Sequence, residues 1–209
     1  MDYYSKYLKY KQKYSKLKYQ SGGAKTILTK ENTKIIRKIF RNNGVNKVID
    51  KDILDLLNKA YKIELTEFIP HSDVGNKAIM WKIMCEDILV GFGVTTDLAQ
   101  FEKHDNFEAK GGIKGAKGLY ITSIAGNSEY KGIVGILFDE IDKYSKENEY
   151  DYLLLEAKKY EPNYLVKLYN KYNYISIKEL TEDGETGTLM CKDIKKGFNC
   201  VDKIKAKVG

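Results

Sequence analysis

Two apolar runs, 78–84 and 88–96, flank the polar stretch Cys85-Glu-Asp87, and their length and composition predict a hairpin of adjacent strands. A second series begins at Gly118. A strand over 119–124 is followed by a glycine turn at 129–135, which opens a helix carrying Leu137, Phe138 and Ile141. The run Tyr152-Leu-Leu-Leu155 then predicts a buried strand, and 163–174 a helix ending among Tyr169, Tyr172 and Tyr174. Strands over 174–178 and 186–192, on either side of Glu182-Asp-Gly-Glu185, predict a closing hairpin. Upstream, Ile53, Leu56, Leu57 and Ala60 recur at helical spacing behind Asp50 as N-cap, with a short strand over 46–50 before them. Ile35, Ile36, Ile39 and Phe40 predict a further helix, capped by Thr29 or Asn32 and stopped at Asn42-Asn-Gly44. Pro70 excludes one continuous helix through 63–77. The polar, Gly- and Lys-rich stretch 98–117 predicts a long mobile loop of the kind that touches ligand, with a disordered insertion as the plain alternative. Lysines and weak periodicity over 195–209 predict a loosely attached tail.

At the start of the chain, Tyr3, Tyr7, Tyr10, Tyr14 and Leu17 form the seam of a short amphipathic helix with Lys on its other faces, and Ser21-Gly-Gly-Ala24 reads as a hinge behind it. Such a segment is either a solvated, weakly helical tail or an element of self-association or of contact with an anionic surface. Its Tyr/Lys-rich composition resembles the openings of many proteins from large DNA viruses. It also holds most of the charge. The 209 residues carry a net charge of +7, but residues 1–20 have six lysines against Asp2 alone, so the remainder is close to neutral. A nucleic-acid module would have to use this tail, where cations alternate with aromatics, and the neutral body argues against nucleic acid as partner. No run reaches the roughly 18 apolar residues of a membrane span, and the start lacks the apolar core of a secretion signal, so an intracellular, cytoplasmic protein is expected. Cys85, Cys191 and Cys200 are odd in number and show no Cys-x-x-Cys spacing, which predicts reduced thiols without a disulfide framework and without a metal site.

The order strand, glycine turn, helix, strand, helix, strand, strand meets specific residues between 118 and 192. Over 46–194 the chain resembles the GNAT superfamily of N-acetyltransferases, most specifically over 118–174. The family's phosphate motif is Gln/Arg-x-x-Gly-x-Gly/Ala. With Gly132 on its middle glycine, Glu129 takes the first position and Val134 the last, with Tyr130, Lys131 and Ile133 between them and Gly135 next in line. A register shifted to end on Gly135 takes Leu137, Phe138 and Ile141 off the apolar positions of the following helix. The motif needs free amides at a helix N-terminus facing a pyrophosphate, and a glycine that lets backbone come close. The family's Asn-x-x-x-x-Leu-Tyr-x-x-x-Gly-Phe is met by Asn163, Leu168, Tyr169, Asn173 and Tyr174, with Asn the commonest stand-in for Gly in left-handed geometry.

The resemblance implies an α/β (α+β) fold, a mixed, mostly antiparallel central sheet flanked by helices. Residues 1–24 are then tail and hinge, 25–45 a helical extension, 46–194 the acetyltransferase domain and 195–209 a C-terminal tail. It implies acetyl-CoA (coenzyme A) as cofactor, and direct transfer of acetyl to a primary amine of a small molecule or a protein, with strands 119–124 and 152–156 splayed to admit the thioester. On this resemblance Ile121, Thr122, Ser123 and Ile124 pair with the pantetheine arm, and the amide near Thr122 or Ser123 polarises the thioester carbonyl. Asn163 orients the arm or a water, and Tyr169 is the general acid for the departing thiolate. Some family members place a Glu on the strand before the phosphate loop where this chain has Gly118, which leaves the base among Tyr120, Glu156, His71 and His104. No cysteine lies within the motifs, which speaks against a thiol relay. The rival reading, drawn from Glu129, Val134 and Gly118, is a GNAT-like module without catalysis that serves for binding or as a scaffold.

Overall fold

The computed structural model describes residues 26–41, 50–61, 64–66, 77–102, 107–108, 111–158, 164–182 and 185–206. Among them the elements run β1 (Thr26–Ile27), β2 (Lys34–Arg41), α1 (Lys51–Tyr61), β3 (Lys77–Cys85), β4 (Ile88–Asp97), β5 (Gly118–Gly126), β6 (Tyr130–Lys131) and α2 (Ile133–Glu147). There follow β7 (Tyr152–Lys158), α3 (Tyr164–Asn170), β8 (Ile175–Glu182), β9 (Glu185–Asp193) and α4 (Cys200–Lys205). The main sheet has seven strands in the order β2-β3-β4-β5-β7-β9-β8, antiparallel throughout except between β5 and β7. This is the mixed, mostly antiparallel sheet that the sequence predicts.

Both hairpins form. β3 and β4 meet through Glu86 and Asp87, whose positive φ values (48° and 64°) give the two-residue turn that fits the twist of its strands. β8 and β9 pair from Ile175↔Cys191 to Glu182↔Glu185. Asp50 caps α1, accepting from the Ile53 amide, and Ile53, Leu56 and Leu57 bury against Met80, Phe92 and Val94 on one face of the sheet. α2 and α3 cover the other face with Leu137, Phe138, Ile141 and Tyr169. On the α1 face, but at the β7–β9 end, a third cluster joins Tyr152, Leu154 and Leu189 to Cys200 and Ile204 of α4.

Four expectations are corrected. Residues 34–41 form a strand, not a helix, and pair along their whole length with β3 from Lys34↔Met84 to Arg41↔Lys77. Ile35, Ile36 and Ile39 are β-branched and stiff at χ1, and the open edge of β3 offers them a ladder that the local pattern does not reveal. The stretch 98–117 is not simply a mobile loop: Leu98, Phe107 and Ile113 are buried, and the Tyr152 hydroxyl accepts from the Ile113 amide at 3.1 Å. Residues 200–205 are a docked helix, and a disulfide joins Cys191 to Cys200, with both residues buried. That pairing overturns the expected reduced thiols for Cys191 and Cys200, whereas Cys85 is a free, buried thiol, and it removes the support they gave to a reducing compartment. The strand expected at 46–50 lies outside the described residues except for Asp50.

Three tyrosines have hydroxyls held inside the fold. That of Tyr150 donates to Asp97 at 3.2 Å, that of Tyr152 sits between Ile113 and Gly111, and that of Tyr174 is fully buried. Burial, reinforced by Asp97 beside Tyr150, by Asp151 near Tyr152 and by Asp142 near Tyr174, raises all three phenols above their ordinary range. The folded state thus holds protons that the unfolded chain releases near pH 10, so the stability these groups confer is whole below about pH 10 and is lost as pH rises above it. A spectrophotometric alkaline titration should show these tyrosines ionising only together with loss of the far-UV circular dichroism signal. Smooth ionisation of all seventeen tyrosines in folded protein contradicts this.

Candidate active site

β5 and β7 pair over four residues only, from Gly118↔Tyr152 to Ile121↔Leu155. Beyond that point each follows its other neighbour: β5 stays on β4 as far as Gly126↔Gly91, and β7 stays on β9 as far as Lys158↔Gly187. The parting begins at a bulge. Val94 pairs with Ser123 and Thr95 with Ile121, so Thr122 is an extra residue in β5, and its hydroxyl donates to the Val94 carbonyl at 3.4 Å. A bulge bends its strand and sharpens the local twist, which carries 122–126 away from 156–158. The opening therefore starts later than the sequence implied. Ile121 lies within the ladder and is buried, whereas Thr122, Ser123 and Ile124 line the parting.

At the open end the chain passes through β6 into α2. Gly132 caps this helix in left-handed conformation, φ 97°, and Ile133, Val134 and Gly135 form its first turn. The first N–H groups of a helix have no intrahelical acceptor and carry partial positive charge, so this end suits an anion. Ile133 packs inward beside Gly91 and Gly126, and Val134 is partly buried against the same core. Lys131 is exposed and Tyr130 half-buried. Glu129, at the first motif position, is turned aside: its carboxylate meets Lys59 of α1 at 3.2 Å and stays mostly exposed.

The sequence reading missed β1. The Thr26 amide donates to the Glu129 carbonyl at 3.1 Å and the Leu28 amide to the Lys131 carbonyl at 2.9 Å, while the Leu28 side chain is buried in the core. Residues 26–28 thus brace the turn that leads into α2 from outside, and Lys30 continues the brace to Asp139 of α2 at 3.2 Å. The available signal was the apolar pair Ile27-Leu28, separated from Ser21-Gly-Gly-Ala24 by Lys25 and Thr26.

Tyr169 lies on the α2–α3 side of the sheet, buried, with its ring 5.7 Å from Phe138 and 6.3 Å from Tyr174. Asn173, at φ 66°, turns the chain from α3 into β8 in the left-handed geometry expected of it. Glu156 lies on the other face. Leu155 and Ala157 point into the core under α2 and α3, Tyr152 and Leu154 point the opposite way, and Glu156 alternates with the first pair. It is also the first residue of β7 past the last pair with β5. Its Oε1 meets Lys158 at 3.1 Å and lies over Gly187, where a β-carbon would stand 2.0 Å away. Tyr120 packs against the same cluster as Leu154 and so shares that face. Tyr169 thus lies on one face of the sheet and Tyr120 and Glu156 on the other, with Glu156 just past the last β5–β7 pair and Tyr120 within the paired stretch. Asn163, His71 and His104 fall outside the described residues. Among the described residues no cluster of His, Cys, Asp and Glu is placed to hold a metal, and no helix is long and apolar enough to cross a membrane.

The fold has counterparts among solved structures. The chain is similar to the ribosomal-protein-S18-alanine N-acetyltransferase from Escherichia coli at TM-score 0.53 and 12% identity, over 78% of this chain and 96% of that one. It is similar to Arabidopsis thaliana NAA60 in complex with acetyl-CoA at TM-score 0.51 and 16% identity, over 77% and 99%. An acyl-CoA N-acyltransferase from Pseudomonas aeruginosa gives TM-score 0.50 and 12% identity over 76% and 99%. Neither a family model nor a curated protein matches the sequence. At these identities the likeness is one of fold, and the fold is that of the GNAT acetyltransferases. These proteins come from a plant and from bacteria, and the viral resemblance of the opening segment finds no support among them.

Gly132→Ala forces a side chain into left-handed backbone and sets its β-carbon 3.2 Å from the Leu28 carbonyl oxygen. The substitution should lower stability by about 1–2 kcal/mol, read as a shift of the urea midpoint at constant slope. An unchanged midpoint would show that the loop does not need this conformation.

Proposed function

We propose that the protein is an N-acetyltransferase that moves the acetyl group of acetyl-CoA directly to a primary amine while both are bound. The observation that carries this reading is the parting of β5 and β7 beyond Ile121 and Leu155, with the N-terminus of α2 at its open end. The shared fold with Arabidopsis NAA60 in complex with acetyl-CoA supports it. The residues present fit such a ligand: strand edges offer main-chain hydrogen bonds to an amide-bearing arm, and the first turn of α2 with the exposed Lys131 suits a diphosphate. Acetyl-CoA supplies an acetyl group activated as a thioester.

The chain's own groups then divide the work. An amide at Thr122 or Ser123, fixed in direction by the bulge, stabilises charge as it develops on the carbonyl oxygen. Tyr169 gives its proton to the departing sulfur, which a phenol with a reference pKa of about 10 can do because it is not ionised at rest. An amine with a reference pKa of about 10.4 arrives mostly protonated, so a group on the acceptor face must take its proton. We assign this to Glu156, with Tyr120 on the same face beside it. A C–N bond forms and the C–S bond breaks; nitrogen gives up two protons, one to Glu156 before it attacks and the second by way of Glu156 to solvent as the amide forms, while Tyr169 passes its proton to sulfur and takes one back from solvent, so that ammonium and thioester become amide, thiol and one free proton. Asn163 is assigned to orient the arm or a water. The acceptor is a primary amine of a protein, an amino sugar, a polyamine or a small metabolite.

Screening amine panels with acetyl-CoA, with released thiol as the readout, tests the reading. Binding of acetyl-CoA without thiol release from any amine would make the protein a binding module instead. In the active case Glu156→Gln should cut kcat by about 100-fold or more while the acetyl-CoA KM holds, as expected for loss of a general base. Tyr169→Phe should lower turnover at unchanged cofactor affinity, and unchanged turnover removes Tyr169 from the reaction.

A further inference from the structure

We propose that the Tyr172 hydroxyl donates a hydrogen bond to the diphosphate of acetyl-CoA where it meets the first turn of α2, an inference that rests on the cofactor reading above. Tyr172 follows α3, and its ring stands edge-on to Phe138 at 5.0 Å and 78°. Its amide donates to the Tyr169 carbonyl at 2.9 Å, so both ends of the residue are held. The hydroxyl reaches across to α2, where a β-carbon at Gly135 would lie 2.9 Å from its oxygen. Each Cα–Cβ bond of a helix tilts toward the N-terminus. An atom that meets this point at the third residue of α2 therefore lies against the flank of the first turn, on the side toward the helix start. The absence of a side chain at Gly135 is what leaves that place open.

The ring is partly buried, and among the described residues the hydroxyl has no hydrogen-bond partner. It is a neutral donor on the far wall of the cleft. α2 packs on β4 and β5, and α3, which carries Tyr172 at its end, packs on β7 and β8, so an anion between the two is gripped from both sides of the parting. The motif leaves room for such a donor. Glu129 offers neither a cation nor an amide side chain and is engaged with Lys59, and Val134 adds only apolar bulk. A phenol from the opposite wall replaces the donor that the first motif position lacks.

The experiment compares wild type, Tyr172→Phe and Gly135→Ala by equilibrium titration with acetyl-CoA and with S-acetylpantetheine, which lacks the diphosphate. Tyr172→Phe keeps the ring against Phe138 and should weaken acetyl-CoA about tenfold, the loss of one hydrogen bond to a charged group, with no change for S-acetylpantetheine. Gly135→Ala adds helix propensity but places its β-carbon where the hydroxyl stands, so it should give the same phosphate-selective loss. Equal affinity of wild type and Tyr172→Phe for acetyl-CoA overturns the proposal, as does an equal loss for both ligands. Failure of wild type to bind acetyl-CoA at all would instead sink the cofactor reading, and this inference with it.

Discussion

A backbone N–H or C=O withdrawn from water must find a partner, and the two central strands of this protein decline to be each other's partner after four residues. Everything about the site follows from that refusal. β5 is committed to β4 by an antiparallel ladder up to Gly126, and β7 is committed to β9 up to Lys158, so neither can relax to close the gap. The extra residue at Thr122 converts two well-paired half-sheets into a wedge. The exposed strand edges are a liability in an ordinary sheet, where they invite further strands, and here they are an unfilled ladder that an extended amide-bearing chain can complete.

The wedge has a charged end and two chemically different sides. The charged end comes from α2, whose first turn is set by left-handed Gly132 and braced from outside by residues 26–28. The α2–α3 side contributes buried tyrosines, and the opposite side contributes Glu156, kept in place by Lys158 and by the missing side chain at Gly187. A phenol and a carboxylate thus stand on opposite faces of the sheet, and the proposed transfer rests on that arrangement. Lining the opening with main chain means that much of its recognition does not depend on side-chain identity. That agrees with a fold shared at 12–16% identity.

Much of the architecture was legible because its signals are local. The Glu86-Asp87 turn, the α2 start at Gly132 and the left-handed Asn173 are each written in two or three adjacent residues. What failed was decided at a distance. Ile35, Ile36 and Ile39 satisfy a helical and an extended pattern alike, and only the free edge of β3 settles the choice. Cys200 looked like an unpaired thiol in a tail because nothing in the spacing shows that α4 returns to β9. At the site, the motif residues were readable, but the place where the ladder stops was not: it depends on a bulge registered against Val94 and Thr95. The face that Glu156 occupies becomes clear only from the burial of its neighbours.

Hydrogen exchange on the β5 edge tests the central claim most directly, since it reads the unfilled ladder residue by residue. Without ligand, amides of 119–121 that face β7 should be protected and those of 122–126 that face the opening should exchange quickly; addition of acetyl-CoA should protect the second group and leave the first as it was. Strong protection of 122–126 before any ligand is added, or no gain in protection at saturating acetyl-CoA, would contradict an opening built to hold a thioester carrier.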